Sequence, residues 1–98
     1  MPLDPAIRSL IATFRRSPNW DDQLDAELLR ELWPALVGEM LGRATSVTAI
    51  LGTTLVLNVP DLIWRKELIR MKGQLLRKIN EPWENGRITE IAFTHENQ

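Results

Sequence analysis

Gly52-Thr53-Thr54-Leu55-Val56-Leu57-Asn58-Val59-Pro60-Asp61 runs directly into Leu62-Ile63-Trp64-Arg65-Lys66-Glu67-Leu68-Ile69-Arg70-Met71, and the change of period between the two halves decides the fold. Before Pro60 the pattern alternates: Leu55, Leu57 and Val59 share one face of a strand, and Thr54, Val56 and Asn58 share the other. After it the apolar residues Trp64, Leu68, Met71, Leu75 and Ile79 recur at steps of four, three, four and four, the stripe of a helix. Asp61 stands where a side-chain oxygen caps the first turn and favours its positive end. At 100° per residue, Lys66, Arg70 and Arg77 lie opposite the stripe, within about 40° of one another. The spacing therefore predicts one long helix reaching Asn80, with a core side and a cationic ridge. Gly73, inside that run, costs about 1 kcal/mol against alanine and marks either a break or a point of close packing.

Outward from this segment, Ala44–Leu51 reads as a strand, with Thr45, Val47 and Ala49 alternating against Ser46, Thr48 and Ile50. Gly52-Thr53 turns it into the next strand. Upstream, Asp4 and Pro5 open a first helix through Phe14 with Ile7, Leu10, Ile11 and Phe14 as its apolar face, and Arg15-Arg16-Ser17-Pro18 closes it. Asp21 or Asp22 starts a second helix to about Leu41. Pro34 removes a backbone donor within it at about 3 kcal/mol, so the helix either kinks near Arg30–Trp33, the reading preferred, or is two shorter helices meeting there; Gly42 or Gly38 permits its exit. Downstream, Glu81–Gly86 is rich in turn residues, Arg87–Thr94 alternates as a third strand, and His95–Gln98 reads as a tail. The order α-α-β-β-α-β predicts an α+β fold of two layers, a three-stranded sheet with helices on one face. The last strand is expected beside the first or second. The whole chain forms one domain, with residues 1–20 a helix and loop, 21–94 the core and 95–98 the tail.

Composition narrows the function. Hydrophobic residues make up 44% and charged residues 26%, as in an ordinary soluble protein, so a cytoplasmic location is expected and no membrane partner. No apolar run approaches the roughly 20 residues a membrane helix needs, and Met1–Pro5 lacks the features of a signal peptide. With no cysteine and one histidine, His95, thiolate chemistry is excluded and no metal or other cofactor is expected. Gly38-x-x-x-Gly42 is followed by Arg43 rather than the Lys-Ser/Thr of a phosphate loop, and no catalytic constellation is visible, so no enzyme is expected.

The net charge of -1 conceals two poles. Leu62–Ile79 carries Arg65, Lys66, Arg70, Lys72, Arg77 and Lys78 against Glu67 alone, while Asp21, Asp22, Asp25, Glu27 and Glu31 cluster in Asp21–Glu31 with one arginine. The basic residues are candidate phosphate contacts, against the plainer reading of a solvated helix face. The acids are better explained as helix-start electrostatics than as a metal site. Trp64 and Trp33 fall on core stripes; Trp20 and Trp83 lie in loops, where they either anchor a partner or cap the chain's own core.

Trp33, Val37-Gly38, the Thr-rich strand, Gly52, Leu55–Val59, Trp64, Leu68, Leu75-Leu76, Ile79-Asn80 and Ile88, Ile91 and Phe93 together resemble the DciA family, over about Leu24–Thr94. The resemblance implies a KH-like fold, contact with the replicative helicase DnaB as a loader, and affinity for DNA. The Gly-x-x-Gly loop that clamps nucleic acid between two helices of a KH domain is missing. Family members often add a basic extension; the sequence ends at Gln98, so no affinity is carried over from such a tail. Alternatives from other classes are a KH-like RNA-binding module and a plain oligomerisation domain whose acidic and basic poles pair between subunits.

Overall fold

The computed structural model describes residues 4–83 and 86–94. The expected tail at His95–Gln98 lies outside the described residues, as do Met1–Leu3 and, within the turn-rich loop, Glu84 and Asn85. The elements are α1 (Pro5–Arg15), α2 (Asp22–Val37), α3 (Glu39–Ala44), β1 (Ser46–Leu51), β2 (Thr54–Asn58), α4 (Leu62–Arg70), α5 (Lys72–Ile79) and β3 (Glu90–Thr94). This is the expected α+β class and order, with two of the expected helices each divided.

The sheet runs β1-β2-β3. β1 and β2 pair antiparallel through Gly52-Thr53, with Gly52 at φ 64, the positive angle that a two-residue hairpin turn needs at its first central position. β2 and β3 are parallel, with Leu55 opposite Ile91 and Leu57 opposite Phe93, and α4 and α5 supply the crossover a parallel pair requires. Leu55, Leu57 and Val59 are each 0% exposed, so the face read from alternation is the core face.

Alternation fails on β1. Val47 and Ile50 are both buried, although they were expected on opposite faces, because the register slips between Val47 and Ala49 and leaves Thr48 without a partner on β2. Arg30 of α2 reaches this bulge: its Nε donates to the Val47 carbonyl at 3.0 Å and its Nη2 to the Thr48 carbonyl at 2.7 Å.

α2 runs through Pro34 as one element and ends earlier than expected, at Gly38, whose φ of 95 few side chains tolerate. Gly42 does not end a helix; it lies within α3, where an added Cβ would come within 3.2 Å of the Pro34 Cα. The proline thus gives α3 a surface to fold against. Trp33, Val37, Leu41, Thr45, Leu57, Leu68 and Leu75 close around one interior point with no room for water. Trp33 satisfies its indole N–H there by donating to Thr45 Oγ1 at 2.8 Å, and Thr45 Oγ1 donates to the Leu41 carbonyl at 2.6 Å.

The long helix expected after Asp61 is two helices meeting at Met71, whose φ of -95 and ψ of 15 leave the helical well. Gly73 therefore sits in the first turn of α5, and nothing lies within 4 Å of a Cβ built on it, which removes the close-packing reading. Gly73→Ala is accordingly expected to stabilise the protein by about 0.5–1 kcal/mol, seen as a rise of several degrees in melting temperature. A fall would show that the break itself needs glycine.

α1 departs most from expectation. Asp4 Oδ1 caps it through Ala6 N at 2.8 Å, but of its apolar face only Ile11 is buried; Ile7, Leu10 and Phe14 are exposed.

Candidate interaction surface

α4 starts where the sequence places it, with Asp61 Oδ1 accepting from Ile63 N at 2.8 Å and Trp64 N at 3.2 Å. Leu68 seals its inner side at 1% exposure, and Leu75 and Ile79 do the same for α5. The break at Met71 divides the cationic ridge. Lys66 and Arg70 are exposed on α4, and Arg77 and Lys78 are exposed on the last turn of α5, where cations complement the helix dipole.

The six basic candidates are not equivalent. Arg70 pairs with Glu67 at 3.2 Å on an open surface, a contact worth little. Lys72 is tied to Glu90 of β3 and holds that carboxyl below its ordinary range, an exposed pair that links α5 to the sheet. Arg65 is half-buried. Lys66, Arg77 and Lys78 form no ion pair among the described residues.

The outer face of α4 also carries exposed apolar residues. Leu62 is 59% exposed, Ile63 77% and Ile69 53%, interleaved with Lys66 and Arg70. Their signal was present in the sequence: all three are apolar and lie off the core stripe. Beside Trp64, a groove of about 340 Å³ is lined by Glu39, Met40, Arg43, Ala44 and Trp64, with Met40 itself 71% exposed.

The loop tryptophans separate. Trp83 is 4% exposed and part of the core, which is the second of its two readings and leaves no exposed ring to anchor a partner. Trp20 is half-buried, and its Nε1 donates to Asp25 Oδ1 at 2.7 Å; its ring borders a shallow depression with Leu24 and Leu28.

That bond leads to a centre the sequence did not reveal. Asp21 caps α2 through Leu24 N, as helix-start electrostatics predicts. Asp25, however, is 1% exposed and serves as a hub. Its Oδ1 also accepts from Arg15 Nε at 2.9 Å, and its Oδ2 accepts from Arg15 Nη2 at 3.1 Å and Arg87 Nε at 3.0 Å. Arg87 reaches on to Asp22 Oδ1 at 2.6 Å and to the Gly52 carbonyl, while Gly52 N donates to Asp22 Oδ2 at 3.1 Å. Burial raises the Asp25 pKa, but the hydrogen bonds from Arg15, Trp20 and Arg87 outweigh it and leave the carboxyl below its ordinary value of 3.8. Two acids of the pole, Asp22 and Asp25, are thus met by Arg15 and Arg87 rather than by the cations of α4 and α5.

With this architecture in view, comparison with known families is decisive. The family described as Dna[CI] antecedent, DciA, matches residues 6–93, from the first turn of α1 to the end of β3. The chain belongs to the DciA family. Membership places it among replication proteins associated with the DnaB helicase. The DciA match takes in α1 as well as the core from Leu24 onward, so the exposed apolar face of α1 and its Arg15 contact lie within the family's span. No curated protein matches the chain. Among the described residues, no helix is long and apolar enough to cross a membrane.

Proposed function

We propose that this DciA protein is a non-enzymatic adaptor of cytoplasmic DNA replication that binds DnaB and assists its placement on DNA. The observation that carries the reading is the family match across residues 6–93. The exposed cations support a second, weaker contact: Lys66, Arg70, Arg77 and Lys78 touch DNA phosphates without reading sequence. Arg65 and Lys72 flank them, Lys72 engaged with Glu90. Trp20 stands beside an open depression and serves as a candidate partner contact through its ring.

The test is recruitment of DnaB onto single-stranded DNA with and without the protein. More helicase retained and unwinding in its presence is the expected result; no difference overturns the loader reading. For the DNA contact, four phosphate contacts on single strands give a slope of log affinity against log salt of about -3. Replacing Lys66, Arg70, Arg77 and Lys78 together by glutamine should bring that slope close to zero. An unchanged slope removes these residues from the DNA contact.

A further inference from the structure

Among the described residues two buried side-chain polar atoms lack a hydrogen-bond partner, Nε of Arg8 and Nε1 of Trp83, and both are donors. Buried donors in folded proteins are nearly always paired, so two of them at one place mark a missing acceptor. They border one cavity. It has a volume of about 280 Å³ and lies between α1 and the loop after α5, walled by Ala12, Arg15 and Arg16 on one side and by Pro82, Trp83 and Gly86 on the other. Trp83 stands in the wall itself, and Arg8 stands one helical turn before Ala12. On a helical wheel Arg15, Arg8, Ala12 and Arg16 fall in that order across about 100°, so the three arginines share one side of α1. Their charges are not equally engaged. Arg15 is committed to Asp25 through Nε and Nη2. Arg8 and Arg16 form no ion pair among the described residues, and the described wall holds no acid.

We infer that this cavity is an anion site for a phosphate group carrying close to two charges, either the free ion or a terminal monoester. The uncompensated charge selects it. Two guanidinium groups without counter-ions are balanced by the roughly -1.5 to -2 of a phosphate monoester at pH 7, whereas a carboxylate or a backbone phosphodiester supplies a single charge. The donor set agrees: guanidinium forks bind phosphate oxygens through paired N–H groups, and the indole of Trp83 adds a neutral donor. Size agrees too. The cavity is smaller than the roughly 300–1,000 Å³ of sites that enclose a drug-sized ligand, so it takes the phosphate and leaves outside whatever carries it. The inference does not depend on the helicase reading, and its residues are separate from the cations of α4 and α5.

The test is titration of the full chain with inorganic phosphate at constant ionic strength, followed through the indole N–H resonance of Trp83 and the Nε–H resonances of Arg8 and Arg16. Saturable shifts at all three are the expected result. Arg8→Gln and Arg16→Gln should each bind phosphate about tenfold more weakly, through the loss of a charge-assisted contact. Arg16 is exposed, so Arg16→Gln should melt as wild type does in the absence of phosphate, and it decides the matter alone if Arg8→Gln fails to fold. Trp83→Phe, which keeps an aromatic ring and removes the donor, should also weaken binding. A 5′-phosphorylated dinucleotide that binds more tightly than inorganic phosphate would identify a nucleotide end as the source, and one that binds no better would identify the free ion; either result supports the site, provided the 5′-hydroxyl dinucleotide does not bind. Phosphate that leaves the Trp83 resonance unmoved, acetate that binds as tightly as phosphate, or an Arg16→Gln variant that binds like wild type would overturn it.

Discussion

Asp25→Ala is expected to lower the unfolding free energy by about 3–5 kcal/mol, the cost of breaking a buried ion pair by removing one partner. Against a typical stability of roughly 5–15 kcal/mol, that brings the protein close to unfolding at room temperature. The cause is what remains after the substitution. Arg15, Arg87 and the Trp20 indole N–H converge on one carboxylate that is 1% exposed, and without it two guanidinium groups face each other across a cavity. The hub also joins distant parts of the chain: α1 through Arg15, the start of α2 through Asp22, the β1–β2 turn through Gly52, and the approach to β3 through Arg87. Urea titration of wild type and variant measures the loss; a difference below 1 kcal/mol would show the hub to be dispensable.

The same residue predicts how stability responds to acid. Its folded-state pKa lies below 3.8, so on acidification the unfolded chain takes up a proton before the folded protein does. The stabilisation is complete at neutral pH, begins to drain as the pH falls into the range around 3.8, and is gone once the pH passes below the lowered folded value. The gap between wild type and Asp25→Ala should therefore narrow below about pH 4 and stay constant above pH 5. A gap that widens in acid would contradict the assignment.

Asn80→Ala should cost about 3 kcal/mol for a different reason. Its side chain makes four bonds: Nδ2 donates to the Leu76 and Ile88 carbonyls, each at 2.9 Å, and Oδ1 accepts from Arg87 N at 2.7 Å and Ile88 N at 2.8 Å. Three of those backbone groups, on Arg87 and Ile88, lie in the irregular stretch before β3, where no ladder satisfies them, and each buried polar group left unpaired costs about 1–3 kcal/mol. Asn80→Asp keeps the acceptor and loses the two donors, so it should fall between wild type and alanine. Equal stabilities for all three would mean the approach to β3 is held by Ile88 packing alone.

These two centres show where sequence reading stops. Asp25 and Arg87 are 62 positions apart, and nothing local marks either as more than a helix-start acid and a strand-start base. Elements whose cause is local were legible: the alternation of Leu55 and Leu57, the Asp61 cap and the Gly52 turn all stand as read. The Met71 break was not, because the stripe Trp64, Leu68, Leu75 and Ile79 continues across it and only Gly73 hints at it. The choice between Gly38 and Gly42 as the end of α2 depended on whether α3 packs on Pro34, a tertiary fact. In the same way, the Thr48 bulge moved Ile50 onto the Val47 face, which no alternation rule contains. At the candidate surface the six cations were readable, but their division into exposed and paired residues required the partners Glu67 and Glu90.

The central claim is association with the helicase, and co-elution tests it most directly. The purified protein and DnaB of the same organism are run together on a sizing column at low and at high salt. An adaptor held by apolar contact as well as charge predicts a complex at both, weakened but not abolished by salt. No complex at either salt would contradict it.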